Sequence, residues 1–220
     1  MLDFAVARRM MVDGQVRIQD VTDPVVQAAM LAVPRELFMP AGQEKLAYLD
    51  LPVAVPSAKG PRRLLTPMVI GRLLQALEIG ANDRVLDVGC ATGYAAALLG
   101  RMTNSVIALE EDPALADTAR RALAGAGASH VAVMSGPLPA GWPQGAPYDV
   151  ILVEGAVEIR LEALCGQLRE GGRLACIQGH GPAGKAMLFR SFDGDVTGQP
   201  IFDAAGTILP GFAAPETFVF

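Results

Sequence analysis

The sequence predicts an α/β protein with a doubly wound, mostly parallel sheet of seven strands. Between about residues 80 and 180, short apolar segments alternate with segments that have the apolar spacing of helices. The short segments are apolar throughout, which indicates strands that are buried on both faces. Such strands belong to parallel sheets covered by helices on both sides. We expect a helical extension before this region and an antiparallel pair of strands near the C-terminus.

The N-terminal extension, residues 1–58, is expected to be mainly helical. Residues 4–16 have the apolar spacing of an amphipathic helix. A second helix should begin after a Thr/Asp cap, with Pro24 in its first turn, and end near Val33, because the following proline restricts that residue. Residues 49–61 should be irregular or extended. Residues 59–220 then form the main domain, and both parts should pack as one compact unit.

The stretch GPRRLLTP, residues 60–67, leads into the next helix. Thr66 has the character of an N-cap, and Pro67 suits the first helical position. Arg62 and Arg63 precede this helix start, which is the positive end of the helix dipole and disfavours cations. The two arginines therefore indicate either solvated loop residues or a site for an anion.

Strands and helices alternate along the rest of the main domain. Helices are predicted over 94–102, 112–127 and 160–168, and strands over 84–89, 105–110, 130–135, 148–155 and 171–179. Residues 185–205 should form strands around an Asp-Gly-Asp turn.

Composition narrows the class of protein. The net charge of −5 and the 19% of charged residues argue against a nucleic-acid partner, which would require a basic face. No apolar segment approaches the length of a membrane span, and no signal peptide is evident. Cys90, Cys165 and Cys176 are too widely spaced for a disulfide framework and suit a reducing cytoplasm. His130 and His180 are too far apart to indicate a zinc site, although His180 follows a predicted strand.

The first strand of the parallel region ends in the glycine-containing loop DVGCATGY. Gly89 and Gly93 leave room for a ligand to approach the backbone at the carboxyl end of the strand, where such sheets bind ligands. The dinucleotide fingerprint G-x-G-x-x-G/A requires a small residue where this chain has Tyr94, so a dinucleotide is disfavoured. A phosphate-binding P-loop is disfavoured as well, since no Gly-Lys-Ser/Thr follows.

The spacing Asp-x-Gly-x-Ala-x-Gly resembles motif I of class I S-adenosylmethionine-dependent methyltransferases. This resemblance implies a Rossmann-like methyltransferase fold and S-adenosylmethionine as cofactor, with Asp87 near the methionyl amine. It also implies that Glu110, at the end of the second strand, binds the ribose hydroxyls, since one carboxylate accepts two hydrogen bonds at once. The candidate cofactor-binding residues are Asp87, Gly89, Cys90, Ala91, Gly93, Glu110, Glu111, Ser135 and Gly136.

Longer stretches resemble the protein-L-isoaspartate O-methyltransferase family over roughly residues 10 to 180. They include MVDGQVRIQDVTDPVVQAAMLAVPRELFMP, LAYLDLPVAV, RVLDVGCATGYAAALL, GWPQGAPYDVILV and QLREGGRLACIQG. The resemblance implies methylation of the free carboxylate of isoaspartyl residues in damaged proteins, so that a protein or peptide is the partner. A carboxylate is ionised at neutral pH and needs no general base. Alignment of the oxygen, methyl group and sulfur supplies most of the catalysis.

Three segments depart from the family pattern. Where the family has Gly-x-Thr-Ile-Ser-x-Pro at the substrate carboxylate, alignment on Pro67 places Arg63 at the Thr and Leu65 at the Ser. Met134-Ser135-Gly136 replaces the family's Gly-Asp-Gly, and residues 154–158 replace Thr-Ala-Ala-Ala-Pro. The candidate catalytic residues are Arg62, Arg63, Thr66 and Glu154.

These departures leave three hypotheses. The first is an isoaspartyl methyltransferase in which Arg62 or Arg63 holds the substrate carboxylate, since arginine grips a carboxylate with two hydrogen bonds. The second is a methyltransferase for another nucleophile, in which the carboxylate of Glu154 orients an amine or hydroxyl and repels an anion. The third is a non-catalytic homologue that binds the cofactor. The sequence does not predict the oligomeric state.

Overall fold

The predicted fold class is confirmed in a computed structural model, which describes residues 3–179 and 181–215. His180 lies outside the described residues. In chain order the strands are β1 Val53–Val55, β2 Arg62–Leu64, β3 Arg84–Val88, β4 Ser105–Glu110, β5 Ala132–Ser135, β6 Tyr148–Val157, β7 Leu168–Gln178, β8 Lys185–Phe192 and β9 Asp195–Asp203. The α-helices are α1 Phe4–Met11, α2 Pro24–Ala32, α3 Pro67–Ala76, α4 Tyr94–Met102, α5 Pro113–Gly125 and α6 Glu162–Cys165.

Seven strands form the main sheet in the order β5-β4-β3-β6-β7-β8-β9. The strands from β5 to β7 in this order are parallel, and β8 and β9 are antiparallel to their neighbours. The strand order reverses between β3 and β6. The carboxyl ends of these two strands therefore border the crevice in which doubly wound sheets bind ligands.

The predicted helix starts are confirmed by their side-chain caps. The Asp23 carboxylate accepts hydrogen bonds from the first amides of α2, Thr66 caps α3, and Asp112 caps α5. The C-cap of α2 is Val33, as the following proline predicts. The helix predicted over residues 160–168 is much shorter, and only the four residues of α6 are helical.

The N-terminal helices share the hydrophobic core of the sheet. A π-helical turn over Val12–Val16 continues α1, and one cluster of buried side chains joins Met11 and Met30 to Leu73 and Leu98 on α3 and α4. Among the described residues, no helix combines the length and apolar character needed to cross a bilayer.

A small hairpin of β1 and β2 precedes α3. The two strands pair antiparallel, with Val55 opposite Arg62 and Val53 opposite Leu64. Residues 49–61 thus contain one short strand, and the stretch that leads into α3 contains the other. Along β2, Arg62 and Leu64 are buried whereas Arg63 is exposed, because successive side chains of a strand point to opposite faces.

Candidate functional site

The crevice at the carboxyl ends of β3, β4 and β6 brings together the acidic residues that the sequence singled out. Asp87 lies on β3, Glu110 ends β4, and Glu154 lies on β6. All three are at most 5% exposed. Isolated buried carboxylates are unfavourable unless they are hydrogen bonded or protonated, so the partners of each acid decide its chemistry.

The glycine loop between β3 and α4 turns sharply beside these acids. Gly89 and Gly93 have φ angles of +78° and +91°, and Ala91 has a φ of +49°. A Cβ atom on Gly93 would lie 3.3 Å from Ala119 and Leu123, so glycine also permits close packing of α5 on the loop. The left-handed conformation of Ala91 costs about 1–2 kcal/mol, which the bond from its own amide to Glu110 helps to offset.

Glu110 is fully engaged in hydrogen bonds. Its Oε1 accepts from Arg62 Nη1 at 2.7 Å, from the Glu111 amide at 2.9 Å and from the Asp112 amide at 3.1 Å. Its Oε2 accepts from Arg62 Nη2 at 2.8 Å and from the Ala91 amide at 2.8 Å. A carboxylate offers about four lone-pair directions, so these five donors use its whole capacity.

Arg62 lies inside the protein rather than at a substrate surface. Besides its two bonds to Glu110, Nη2 donates to the Gly89 carbonyl at 2.9 Å, and the Arg62 side chain is only 1% exposed. The expectation that Arg62 faces a substrate carboxylate is therefore contradicted in this structure. The reason is the alternation of β2, which turns Arg62 toward the sheet and Arg63 away from it.

Arg63 and Thr66 line an open cavity of about 380 Å³ beside the crevice. Leu65, which replaces the family's serine, contributes to the same wall, and Thr207 lies among the residues on the C-terminal side. The hydroxyl of Thr66 accepts a 3.4 Å hydrogen bond from the Val69 amide as the N-cap of α3. Of the predicted catalytic residues, Arg63 and Thr66 thus border this cavity.

Asp87 and Glu154 form a buried pair of carboxyl groups. Within the described residues, no donor reaches either oxygen of Asp87 or the Oε1 atom of Glu154. Burial raises the pKa of Glu154 well above its usual range, and the neighbouring Asp87 raises it further. Burial also raises the pKa of Asp87, to about 7. The pair therefore binds a proton more tightly than two exposed carboxyl groups would, which reduces its negative charge.

Arg35 is a buried charge near this pair that sequence reasoning missed. Its Nη2 donates to the Leu65 carbonyl at 2.8 Å, and its guanidinium carbon lies 4.4 Å from the centroid of the Tyr94 ring. Burial lowers the pKa of Arg35, whereas Tyr94 and Glu154 act in the opposite direction. The only sequence signal was a charged residue within an apolar stretch, and such residues are usually exposed.

The other predicted cofactor residues lie around the rim or within the loop. Ser135 is exposed at the end of β5, and the Gly136 amide donates to the Glu110 carbonyl at 3.2 Å. Glu111 is half-buried, and its amide, not its carboxylate, contacts Glu110. Cys90 is fully buried, and burial raises the pKa of its thiol well above the usual range, so it is not a nucleophile.

Residues 204–212, which we call the C-terminal segment, cross the site. The Ala156 amide donates to the Thr207 carbonyl at 2.9 Å, and the Leu209 amide donates to the Ala156 carbonyl at 3.0 Å. A Cβ atom on Gly89 would lie 3.0 Å from the Leu209 side chain, and one on Gly155 only 2.6 Å from it. Leu209 therefore covers the glycine loop and the end of β6.

S-adenosylmethionine fits part of this arrangement. The unpaired oxygens of Asp87 suit the methionyl amine, and the glycine loop gives access to the backbone. The ribose hydroxyls conflict with Arg62, because Arg62 occupies the acceptor positions of Glu110 that they require. Glu110 thus lies at the end of β4, with its acceptor sites filled by Arg62 and three backbone amides.

Comparison with known proteins identifies relatives over most of the chain. A family model described as protein-L-isoaspartate(D-aspartate) O-methyltransferase matches residues 8–195. Protein-L-isoaspartate O-methyltransferase 1 of Rhodopseudomonas palustris (strain HaA2) is 40% identical over 171 residues, which cover 78% of this chain and 69% of the relative. The protein-L-isoaspartate O-methyltransferase of Methylorubrum extorquens (strain PA1) is 38% identical over 218 residues, covering 94% and 93%.

Solved structures share the fold. A protein-L-isoaspartate O-methyltransferase structure superposes with a TM-score of 0.81 at 22% identity, covering 95% of this chain and 66% of that chain. A Plasmodium falciparum structure assigned to the same type of enzyme, solved in complex with S-adenosyl-L-homocysteine, gives a TM-score of 0.77 at 17% identity, covering 95% and 99%. At these identities the likeness concerns the fold alone.

Proposed function

Because the chain belongs to the protein-L-isoaspartate O-methyltransferase family, we propose that it methylates the free carboxylate of isoaspartyl residues in damaged proteins. S-adenosylmethionine supplies the methyl group when bound. The observation that carries this proposal is that an exposed arginine, Arg63, is among the residues that line an open cavity beside the crevice with Asp87, the glycine loop and Glu110.

Arg63 is proposed to hold the substrate carboxylate in place of the family's hydroxyls. A guanidinium donates two parallel hydrogen bonds to a carboxylate, which fixes the orientation of the attacking oxygen. Because Arg63 is exposed, solvent screens its charge, so the bound carboxylate keeps more of its nucleophilicity than in a dry ion pair.

Negative charge on Asp87 and Glu154 would repel an anionic substrate, so the proposed reaction requires these acids to be neutralised. Burial and the nearby Asp87 raise the pKa of Glu154, which reduces the negative charge toward the end of β6. The substrate carboxylate is itself ionised and needs no general base. The tasks of the protein are therefore to orient the two reactants and to exclude water.

The test is methyl transfer to an isoaspartyl peptide, with the normal aspartyl peptide of the same sequence as control. The wild type should form a base-labile ester only on the isoaspartyl peptide. Arg63→Ala should raise KM for the peptide about 10- to 100-fold, the loss expected for a charge-assisted hydrogen bond, and leave the affinity for S-adenosylhomocysteine unchanged.

Two results would reject the proposed function. Methylation of amines or phenols in preference to the isoaspartyl peptide would identify a different nucleophile. Calorimetric binding of S-adenosylhomocysteine without any ester above background would identify a cofactor-binding homologue that lacks turnover.

We also propose a reducing, cytoplasmic location. Cys90, Cys165 and Cys176 are free thiols, and two of them are buried. Unpaired cysteines of this kind are typical of compartments in which thiols stay reduced. Fractionation of the source cells with an antibody against the protein tests this location, and recovery in an extracytoplasmic fraction would exclude it.

A further inference from the structure

The bond between Arg62 and Glu110 is the most completely buried ion pair among the described residues. The two partners have side chains that are 1% and 0% exposed. Arg62 Nη1 and Nη2 each donate to one oxygen of Glu110, at 2.7 and 2.8 Å. This two-pronged geometry is that of a strong charge-assisted contact. Arg62 thus presents two donors to one carboxylate, the same number that a ribose diol presents.

The hydrogen-bond capacity of Glu110 does not allow Arg62 and a ribose to bind to it at the same time. Three amides of the glycine loop and of the β4–α5 turn hold Glu110 from the backbone side. The remaining acceptor directions point to Arg62. A ribose can therefore reach Glu110 only by replacing the guanidinium, two hydroxyl donors for two N–H donors.

Side chains of this protein also cover Gly89 in the glycine loop. A Cβ atom on Gly89 would lie 3.0 Å from Leu209 Cδ1 and 3.6 Å from Arg62 Nη2. Two groups from different parts of the chain, β2 and the C-terminal segment, therefore meet over the position at which a ligand approaches the loop backbone. The crevice is closed by the side chains of this protein itself.

We propose that Arg62 is an internal competitor of the cofactor ribose and that this structure is the closed form of the cofactor site. The proposal rests on the proposed function, because it assumes that the crevice receives S-adenosylmethionine. Cofactor binding then requires Arg62 to leave Glu110, and the apparent affinity of the site is set by the fraction of molecules in which Arg62 has left.

The hairpin that carries Arg62 is suited to such a movement. Its two strands have three residues each and hydrogen bond to each other, not to the main sheet. The connecting loop is tied to the end of β4 through Asp112, whose carboxylate accepts from Ser57 Oγ at 2.8 Å and from the Ala58 amide at 2.7 Å. Val53, Val55 and Leu64 of the hairpin are buried in the core, so the movement is one of the Arg62 side chain, and it breaks no ladder of the main sheet.

The experiment is calorimetric titration of S-adenosylhomocysteine into the wild type, Arg62→Lys, Arg62→Ala and Arg190→Ala. If the closed form makes up about 90% of the molecules, it weakens the apparent affinity for the ligand about tenfold. Arg62→Ala should therefore bind S-adenosylhomocysteine at least about tenfold more tightly than the wild type. Arg62→Lys should lie between them, since a lysine keeps the charge and loses the two-pronged grip. As a control, Arg190→Ala removes an exposed arginine of β8 that pairs with Glu78, and it should match the wild type.

The Arg62→Lys variant and a measurement of folding guard the test against a loss of structure in Arg62→Ala. Arg62→Ala leaves Glu110 buried without its cation, which destabilises the fold. Circular dichroism and thermal melting show which variants are folded, and if the alanine variant is not, Arg62→Lys alone decides. Equal dissociation constants for the wild type and folded Arg62 variants would overturn the competitor proposal and leave the proposed function standing. A lack of binding by every folded variant would overturn both.

Discussion

Replacement of Glu154 by glutamine should change how the stability of the protein depends on pH. Burial raises the pKa values of both Asp87 and Glu154, and each group faces the other. The native pair therefore holds a proton that the unfolded chain, with carboxyl pKa values of about 4, releases. Because the native state binds more protons in this range, the free energy of unfolding falls as the pH rises from about 5 toward the native pKa values.

The size of the effect follows from one proton shared by the pair. While the native pair keeps its proton, the loss is on the order of 1 kcal/mol for each pH unit, and so a few kcal/mol between about pH 5 and pH 7. Glutamine has the same shape as protonated glutamate and donates an N–H to Asp87 without titrating. Glu154→Gln should therefore remove most of this slope and be more stable than the wild type at about pH 7 and above.

Urea denaturation at about pH 5, 6, 7 and 8 measures the slope directly. The control is Glu162→Gln, which removes an exposed carboxyl group at the start of α6 and should leave the slope of the wild type unchanged. If wild type and Glu154→Gln lose stability equally with rising pH, the buried pair does not share a proton and the reasoning is refuted.

Two further predictions concern the segments that cover the site. Gly155→Ala places a Cβ atom 2.6 Å from Leu209, so it should displace the C-terminal segment and lower the melting temperature. Gly14→Ala meets no atom within 4 Å and lies in the helical turn after α1, so it should melt at or above the wild type, because alanine favours a helix more than glycine does. If Gly155→Ala melts no lower than the wild type, the segment yields freely. Asp112→Ala removes the cap of α5 and the anchor of the β1–β2 loop. It should lower the free energy of unfolding in urea by about 1–2 kcal/mol and speed trypsin cleavage after the exposed Lys59. Unchanged cleavage would mean that the loop is held by other contacts.

The sequence predicted those features that depend on local signals. The start of α2 follows from a cap and a proline within a few residues, and its end from Pro34. The parallel strands follow from uninterrupted apolar segments, because both of their faces are covered. The glycine loop and Glu110 follow from residue types at a fixed spacing. Each of these features is decided by residues that are close together in the chain.

The features that sequence reasoning missed depend on contacts between distant residues. The strand β2 has only three residues and two of them are arginines, so its local pattern resembles a solvated loop. Arg62 is buried only because its partner Glu110 lies 48 residues further along the chain. Apart from an isolated β-bridge between Ile208 and Ala156, the C-terminal segment is irregular, and its position follows from the packing of Leu209 on the loop glycine.

The burial of Arg62 and Glu110 is better explained by exchange with a ligand than by stability alone. Transfer of two charges into the interior carries a desolvation penalty, and apolar residues of similar size often stabilise a fold as well or better. If Glu110 binds a neutral diol, as we propose, it faces a different problem, because without a ligand it would be buried with donors on one side only. Arg62 supplies the missing donors in the closed form. When the guanidinium leaves for solvent and two hydroxyls replace it, Glu110 keeps the same number of hydrogen bonds. The free energy of the exchange is then a small difference between two large quantities, the interaction of Glu110 with Arg62 and its interaction with the ribose. Single substitutions at Arg62 are therefore sufficient to shift it.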